Sequence, residues 1–215
     1  LENPYPEEGY RQMISRIADL NLCPTNLSIT NLVHERTGGT KFVVGNTVLD
    51  NLLPYKDKCE YGSDVLVTLH RRENHAQMDE WFTAINEVAK EHDNLNFILP
   101  LHPNPDVQKH KHLLTHVCVT EPLTYGELLN LLVKTKFVIT DSGGIQEEGS
   151  FFNKKVIVCR KTTERPEGIA TGHSLLCPSP QDLKSLIETV NNDYIIEKEC
   201  PYGDGESAKR IAKIL

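Results

Sequence analysis

The 215-residue chain is 39% hydrophobic with a formal net charge of −7 at neutral pH, enough apolar content for one sizeable core in one domain or one and a half. The negative balance excludes a general attraction for nucleic acid or an anionic membrane, so any bound phosphate must be held locally by arginines or backbone N–H groups. Six cysteines (Cys23, Cys59, Cys118, Cys159, Cys177 and Cys200) form no C-x-x-C pair, which argues against a zinc site and fits reduced thiols in a cytoplasmic protein; no signal peptide or bilayer-length apolar run is seen.

The chain opens at Leu1 and runs at once into Pro4-Tyr-Pro-Glu-Glu8, which reads as the middle of something longer, so a fragment is expected. Tyr10, Met13, Ile14, Ile17 and Ala18 recur at helical spacing between Glu8 and Leu20, giving a stripe that calls for burial. Asn21 to Pro24 reads as a short loop, Thr25 as the N-cap of a helix through Ile29 and Leu32, and Thr40 to Val44 as a strand. Asp50 to Ser63, with Pro54 and Gly62, reads as a linker or a helix and loop.

From Asp64 the alternation is regular. Strands are expected at Asp64–Leu69, Asn96–Leu101, Val117–Thr120, Phe137–Thr140, Lys155–Cys159 and His173–Cys177. Between and after them, Met78, Trp81, Phe82, Ile85, Val88 and Ala89 mark one helix, a short helix follows Pro105, and Leu128, Leu129 and Leu132 mark another. Leu183, Leu186, Ile187 and Val190 mark one more. Alternating strands and helices imply an α/β fold, a Rossmann-like, doubly wound parallel sheet whose ligands sit at the carboxyl ends of the strands. That rim collects the unusual polar groups: His70-Arg71-Arg72-Glu73, His102-Pro103-Asn104, Glu121-Pro122, Asp141-Ser-Gly-Gly144, Arg160 and Thr162 to Gly168.

The stretch Lys136 to Gly149 passes from an apolar strand through Ser142-Gly143-Gly144 into a helix-like segment. Glycines there allow close approach of a ligand to the backbone, and the first helical N–H groups with the helix dipole favour an anion such as a diphosphate. Glu147 or Glu148, one turn in, could accept hydrogen bonds from sugar hydroxyls. The stretch alone is equally compatible with a glycine turn and solvated glutamates. His70 can bond a phosphate or protonate a leaving group, and the neighbouring Arg71 and Arg72 favour that reading over a structural histidine. His102 can contact the nucleotide or bond backbone in its proline-rich turn. Arg165 can anchor a diphosphate or pair with Glu164 or Glu167, and its rim position favours the ligand. His110, His112 and His116, interleaved with lysines, read as a solvated surface rather than a metal cluster.

Taken together, His70-Arg-Arg-Glu-Asn74, Asp141-Ser-Gly-Gly-Ile-Gln-Glu-Glu148, Thr162-Thr-Glu-Arg-Pro-Glu167 and Pro201-Tyr-Gly-Asp-Gly205 resemble the non-hydrolysing UDP-N-acetylglucosamine 2-epimerases, as do Pro6-Glu-Glu8 and Gly45-Asn-Thr-Val48. The resemblance implies the C-terminal half of a GT-B-like two-domain fold, with 1–50 the remnant of an N-terminal domain and hinge, 51–200 the UDP-binding domain and 201–215 a C-terminal helix. It implies a UDP-sugar ligand, no cofactor and no metal. It further implies that His70 lies near the pyrophosphate, that Ser142, Gly143 and Gly144 bind the phosphates, that Glu148 holds the ribose, that Arg165 contacts the nucleotide, with Arg71 and His102 beside them, and that Glu7 is a catalytic carboxylate. The family inverts the acetamido-bearing carbon by eliminating UDP to a glycal and adding it back on the other face. This sequence departs from the family in lacking most of the amino-terminal domain, in reading Gly9-Tyr10 after Pro-Glu-Glu, and in placing Leu123 and Leu128 where relatives tend to have Gln and Phe around the uracil. Alternatives are a catalytically inactive UDP-sugar-binding module or a 2-epimerase of a 6-deoxy UDP-HexNAc; the expected partner is a missing N-terminal domain or a second copy of the chain.

Overall fold

A computed structural model describes residues 6–192 and 196–215; the opening segment before Pro6 lies outside the described residues. The chain forms two compact units, one of residues 1–53 with 202–215 and one of residues 54–201.

In the first unit, helix α1 (Glu7–Ile17) precedes β1 (Leu20–Cys23), α2 (Asn26–His34) and β2 (Thr40–Val43). The Thr25 side chain accepts a hydrogen bond from the Ser28 N–H and so caps α2 as its type and place predict. Asn21–Pro24, expected as a loop, is instead largely strand: Leu20 pairs with Thr40 and Cys23 with Val43 in a two-stranded parallel sheet. Four residues are too few for a visible period, and the partner strand decides the conformation. The apolar stripe of α1 is bare, with Tyr10, Met13, Ile14 and Ile17 57, 59, 61 and 83% exposed. Helix α10 (Ser207–Ile214) returns to this unit, where Asp50 accepts the N–H groups of Ser207 (3.0 Å) and Ala208 (2.6 Å) and thereby caps it from a distance.

The second unit begins in α3 (Leu53–Lys56) and is built on β3 (Asp64–Thr68), β4 (Asn96–Pro100), β5 (Cys118–Thr120), β6 (Thr135–Thr140), β7 (Lys155–Val158) and β8 (Ser174–Leu176). Every pairing is parallel and the order is β5-β4-β3-β6-β7-β8. Helices α4 (Met78–Glu91), α5 (Pro105–Gln108), α6 (Tyr125–Leu132), α7 (Gly143–Phe151), α8 (Pro166–Ala170) and α9 (Leu183–Asn192) connect or cover them. Val65, Val67, Phe97, Leu99, Phe137 and Ile139 form a continuous core with Trp81, Phe82, Ile85, Ile187 and Val190 of α4 and α9. Leu66, Val138, Val156 and Val158 are also fully buried, which is why the central strands read as unbroken apolar runs rather than alternations.

The strand order puts β3 and β6 side by side while their following connections leave in opposite directions. That is the switch point of a doubly wound sheet, where a crevice opens beyond the strand ends. Gly149 brings α7 close to the sheet, since a Cβ there would lie 2.8 Å from Val156 Cγ2. Lys154 is buried with its ammonium bonded to the carbonyls of Thr135 (2.7 Å) and Glu60 and 4.1 Å from the centre of the Tyr61 ring, pinning the incoming chain to the start of β6.

Candidate functional site

β3 stops at Thr68 and β6 at Thr140, and the two hydroxyls bond each other at 2.6 Å. Directly beyond, Asp141 is fully buried. Its Oδ2 accepts the backbone N–H groups of His70 (3.0 Å) and Arg71 (2.8 Å) and the Asn74 amide (3.1 Å). Asn74 also donates to the Cys159 carbonyl at 3.0 Å, so one carboxylate and one amide tie together the ends of β3, β6 and β7. A buried carboxylate needs such donors, and they fix the His70-Arg71 loop over the crevice.

The His70 ring stacks on His102, with centroids 5.2 Å apart and planes 12° from parallel. His102 is exposed, and its Nδ1 accepts the Asn104 N–H at 3.2 Å, which leaves Nε2 as the protonated nitrogen of the neutral ring. Burial holds the His70 pKa below 6.5, Asp141 opposes that, and His102, Arg71 and His75 reinforce it.

Ser142 is the N-cap of α7 but its side chain caps no N–H, so the helix opens with unsatisfied donors and the positive end of its dipole. Gly143 is buried against Glu164 and Arg71, whereas Gly144 is exposed and a Cβ there would meet nothing within 4 Å. Neither glycine has a positive φ, so backbone conformation alone does not demand glycine at either position.

One turn into α7 the two glutamates part. Glu147 accepts the Nε–H of Arg165, an ion pair that the sequence reading had not considered; Arg165 also lies 4.0 Å from Glu164. Glu148 is buried, takes the Tyr125 hydroxyl on Oε1 at 3.0 Å, and has no hydrogen bond on Oε2. Burial raises the Glu148 pKa, with Tyr125 opposing and Glu147 adding to it, while burial and Glu148 push the Tyr125 phenol up to about 12. Tyr125 is placed by a reciprocal capping box: Thr124 Oγ1 accepts the Glu127 N–H at 3.4 Å and Glu127 Oε2 accepts the Thr124 N–H at 2.8 Å.

Beside His70, His102 and the start of α7 lies a cleft of about 240 Å³, walled also by Leu123, Leu128, Ser142 and Ile145. One rim thus gathers His70, Arg71, His102, Ser142, Gly143, Gly144, Glu148 and Arg165. Glu7 belongs to the other unit, where it is exposed in the first turn of α1 while its neighbour Glu8 pairs with Arg11 at 2.7 Å. Among the described residues no group of histidines, cysteines and carboxylates could hold a metal ion. Sequence reasoning assigned no role to Asp141, Asn74 or Tyr125, and left open which of Glu147 and Glu148 faces the ligand. The adjacency of β3 and β6 is the signal that could have found Asp141, because a carboxylate just beyond one strand faces the N–H groups just beyond its neighbour.

A sequence profile described as UDP-N-acetylglucosamine 2-epimerase matches residues 1–215. The chain belongs to the UDP-N-acetylglucosamine 2-epimerase family. It is 36% identical over 234 residues to the Bacillus subtilis UDP-N-acetylglucosamine 2-epimerase, a match covering 99% of this chain and 62% of that enzyme. The Staphylococcus aureus MnaA–UDP structure superposes with a TM-score of 0.88 at 33% identity, over 98% of this chain and 64% of the other. The Neisseria meningitidis UDP-GlcNAc 2-epimerase bound to UDP-GlcNAc superposes with a TM-score of 0.85 at 32% identity, over 100% of this chain and 66% of that one. The parallel-sheet α/β fold is therefore that of family members with a GT-B-like architecture. The chain spans slightly less than two thirds of the length of the curated relatives it matches.

Proposed function

We propose that this chain carries the nucleotide-binding part of a UDP-N-acetylglucosamine 2-epimerase, an isomerase that interconverts UDP-GlcNAc and UDP-ManNAc by elimination and re-addition of UDP. The observation that carries the reading is the convergence, at the β3/β6 switch point, of an uncapped helix N-terminus, His70 and a buried glutamate with one unused oxygen. In this reading Ser142, Gly143 and Gly144 cradle the diphosphate through backbone donors. His70 and Arg71 stabilise the charge that grows on it as the C1–O bond breaks. Glu148 accepts the ribose hydroxyls on its free Oε2, Arg165 lies along the nucleotide held by Glu147, and the base enters the cleft beside His102, Leu123 and Leu128. Glu7 supplies a carboxylate for proton abstraction at C2, and residues 51–200 form the UDP-binding domain.

The partial span of the relatives favours a second reading, in which these 215 residues bind a UDP-sugar without turning it over; a 6-deoxy UDP-HexNAc is the alternative substrate. The bare α1 stripe calls for a covering surface, either the remaining part of such an enzyme or a second copy of the chain. The thiols of Cys23, Cys59, Cys118, Cys159 and Cys177 support a cytoplasmic setting, and among the described residues no helix is long and apolar enough to cross a membrane. Solvent-deuterium incorporation at C2 of UDP-GlcNAc, followed by NMR, separates the readings. Exchange at an enzyme-like rate makes the 215 residues sufficient for the chemistry. UDP binding with exchange near background assigns them the nucleotide-binding role, and no binding of UDP at all refutes the proposal.

A further inference from the structure

Asp141 uses only half of its carboxylate. Oδ2 takes His70 N–H, Arg71 N–H and Asn74, whereas Oδ1 is buried, makes no hydrogen bond and lies 3.4 Å from His70 Nδ1. Leaving an ionised oxygen buried without a donor is costly, and imidazole Nδ1 faces it.

We infer that Asp141 is a positioning residue for His70: it keeps a proton on Nδ1, so that the neutral ring turns the lone pair of Nε2 towards the cleft and the imidazolium turns an Nε2–H there. The His102 stack fixes the plane of the ring and Asp141 fixes its rotation and tautomer. The groups facing His70 are Asp141 beyond β6, His102 beyond β4, Arg71 next to it in sequence, and His75, whose Nε2 donates to the His70 carbonyl at 3.0 Å. Of these, Asp141 alone favours the charged imidazole, so without it burial and three cationic or cation-forming neighbours act together against protonation. The inference rests on the proposed UDP site only for its consequence, that the Nε2–H of the imidazolium donates a hydrogen bond to a phosphate oxygen. Asp141 acts by position and passes on no proton.

The tautomer is readable without any ligand. The 215-residue chain, labelled with ¹⁵N-histidine, is examined by long-range ¹H–¹⁵N correlation above the histidine titrations, with His70→Gln identifying the resonance. The expected wild-type ring carries its proton on Nδ1. In Asp141→Asn, the amide oxygen keeps the backbone donors and its NH₂ then faces Nδ1, which must become the acceptor, so the proton moves to Nε2. The His70 midpoint should also fall by about one pH unit or more, a tenfold loss of imidazolium at fixed pH. A wild-type ring protonated at Nε2 overturns the inference, even if the variant fails to fold. A folded Asp141→Asn chain with tautomer and midpoint unchanged overturns it equally. Since no UDP-sugar is present, failure of the epimerase reading would leave this result standing, and the reverse also holds.

Discussion

Replacing Gly144 with alanine should strengthen the fold and weaken the ligand. Gly144 occupies the second helical position of α7, its φ is not positive, and an added Cβ would meet nothing within 4 Å. Alanine therefore fits the folded backbone and reduces the freedom of the unfolded one, a gain of about 0.4–1 kcal/mol. The Cα–Cβ bond of a helix leans towards the N-terminus, so the new methyl would project into the space from which a diphosphate reaches the first N–H groups. Displacing that anion by even a few tenths of an ångström loosens charge-assisted bonds, and a loss of about 1.4 kcal/mol or more, tenfold in Kd, is expected. Urea unfolding measures the first effect and titration calorimetry with UDP the second. Gly143→Ala is the internal control, since its Cβ would meet Glu164 Oε1 at 2.8 Å and must shift that side chain instead. A Gly144→Ala chain that binds UDP as tightly as wild type would refute a phosphate site at the start of α7.

Glu148→Gln should weaken UDP by about 1.5–3 kcal/mol but leave a nucleotide without ribose hydroxyls nearly unaffected, as calorimetry on the two ligands would show. Because burial raises the Glu148 pKa above 4.5, the same contact should fade as pH falls towards and through that raised value, earlier than an ordinary glutamate would allow. His173 is buried, its pKa is pulled from 6.5 down to about 4 by burial and by Lys155, and its Nδ1 bonds Thr171 at 2.8 Å. The unfolded chain binds that proton more readily, so stability should drop as pH falls from 6.5 towards 4, on the order of 1–2 kcal/mol after allowance for screening, and His173→Gln should flatten the slope seen in urea titrations. The α1 stripe should drive concentration-dependent self-association in sedimentation, and Met13→Lys with Ile17→Lys should reduce it at little cost in stability, since both side chains are more than half exposed.

The second unit was legible because its signals are long. Asp64 to Leu69, Asn96 to Leu101 and the Met78 to Ala89 period are longer than a single short strand, and the glycines after Asp141 mark the strand-to-helix turn directly. The rim could be listed from the sequence because parallel strands place all their carboxyl ends on one side. Strand order could not, and with it went Asp141, whose three donors come from a loop some seventy residues earlier in the chain. The division of labour between Glu147 and Glu148 was hidden for the same reason: they are adjacent in sequence, but one meets Arg165 from the loop after β7 and the other meets Tyr125 from α6. β1 was missed because a four-residue strand is defined by its partner.

The most direct test of the central claim is a titration of ¹⁵N-labelled chain with UDP, following backbone amides. The account predicts saturable shifts centred on His70, Arg71 and Ser142 to Ile145, extending to Glu148 and Arg165, with uridine perturbing Glu148 but leaving Gly143 and Gly144 nearly in place. Absence of saturable binding at millimolar UDP, or shifts confined to residues away from the carboxyl ends of β3 and β6, would contradict it.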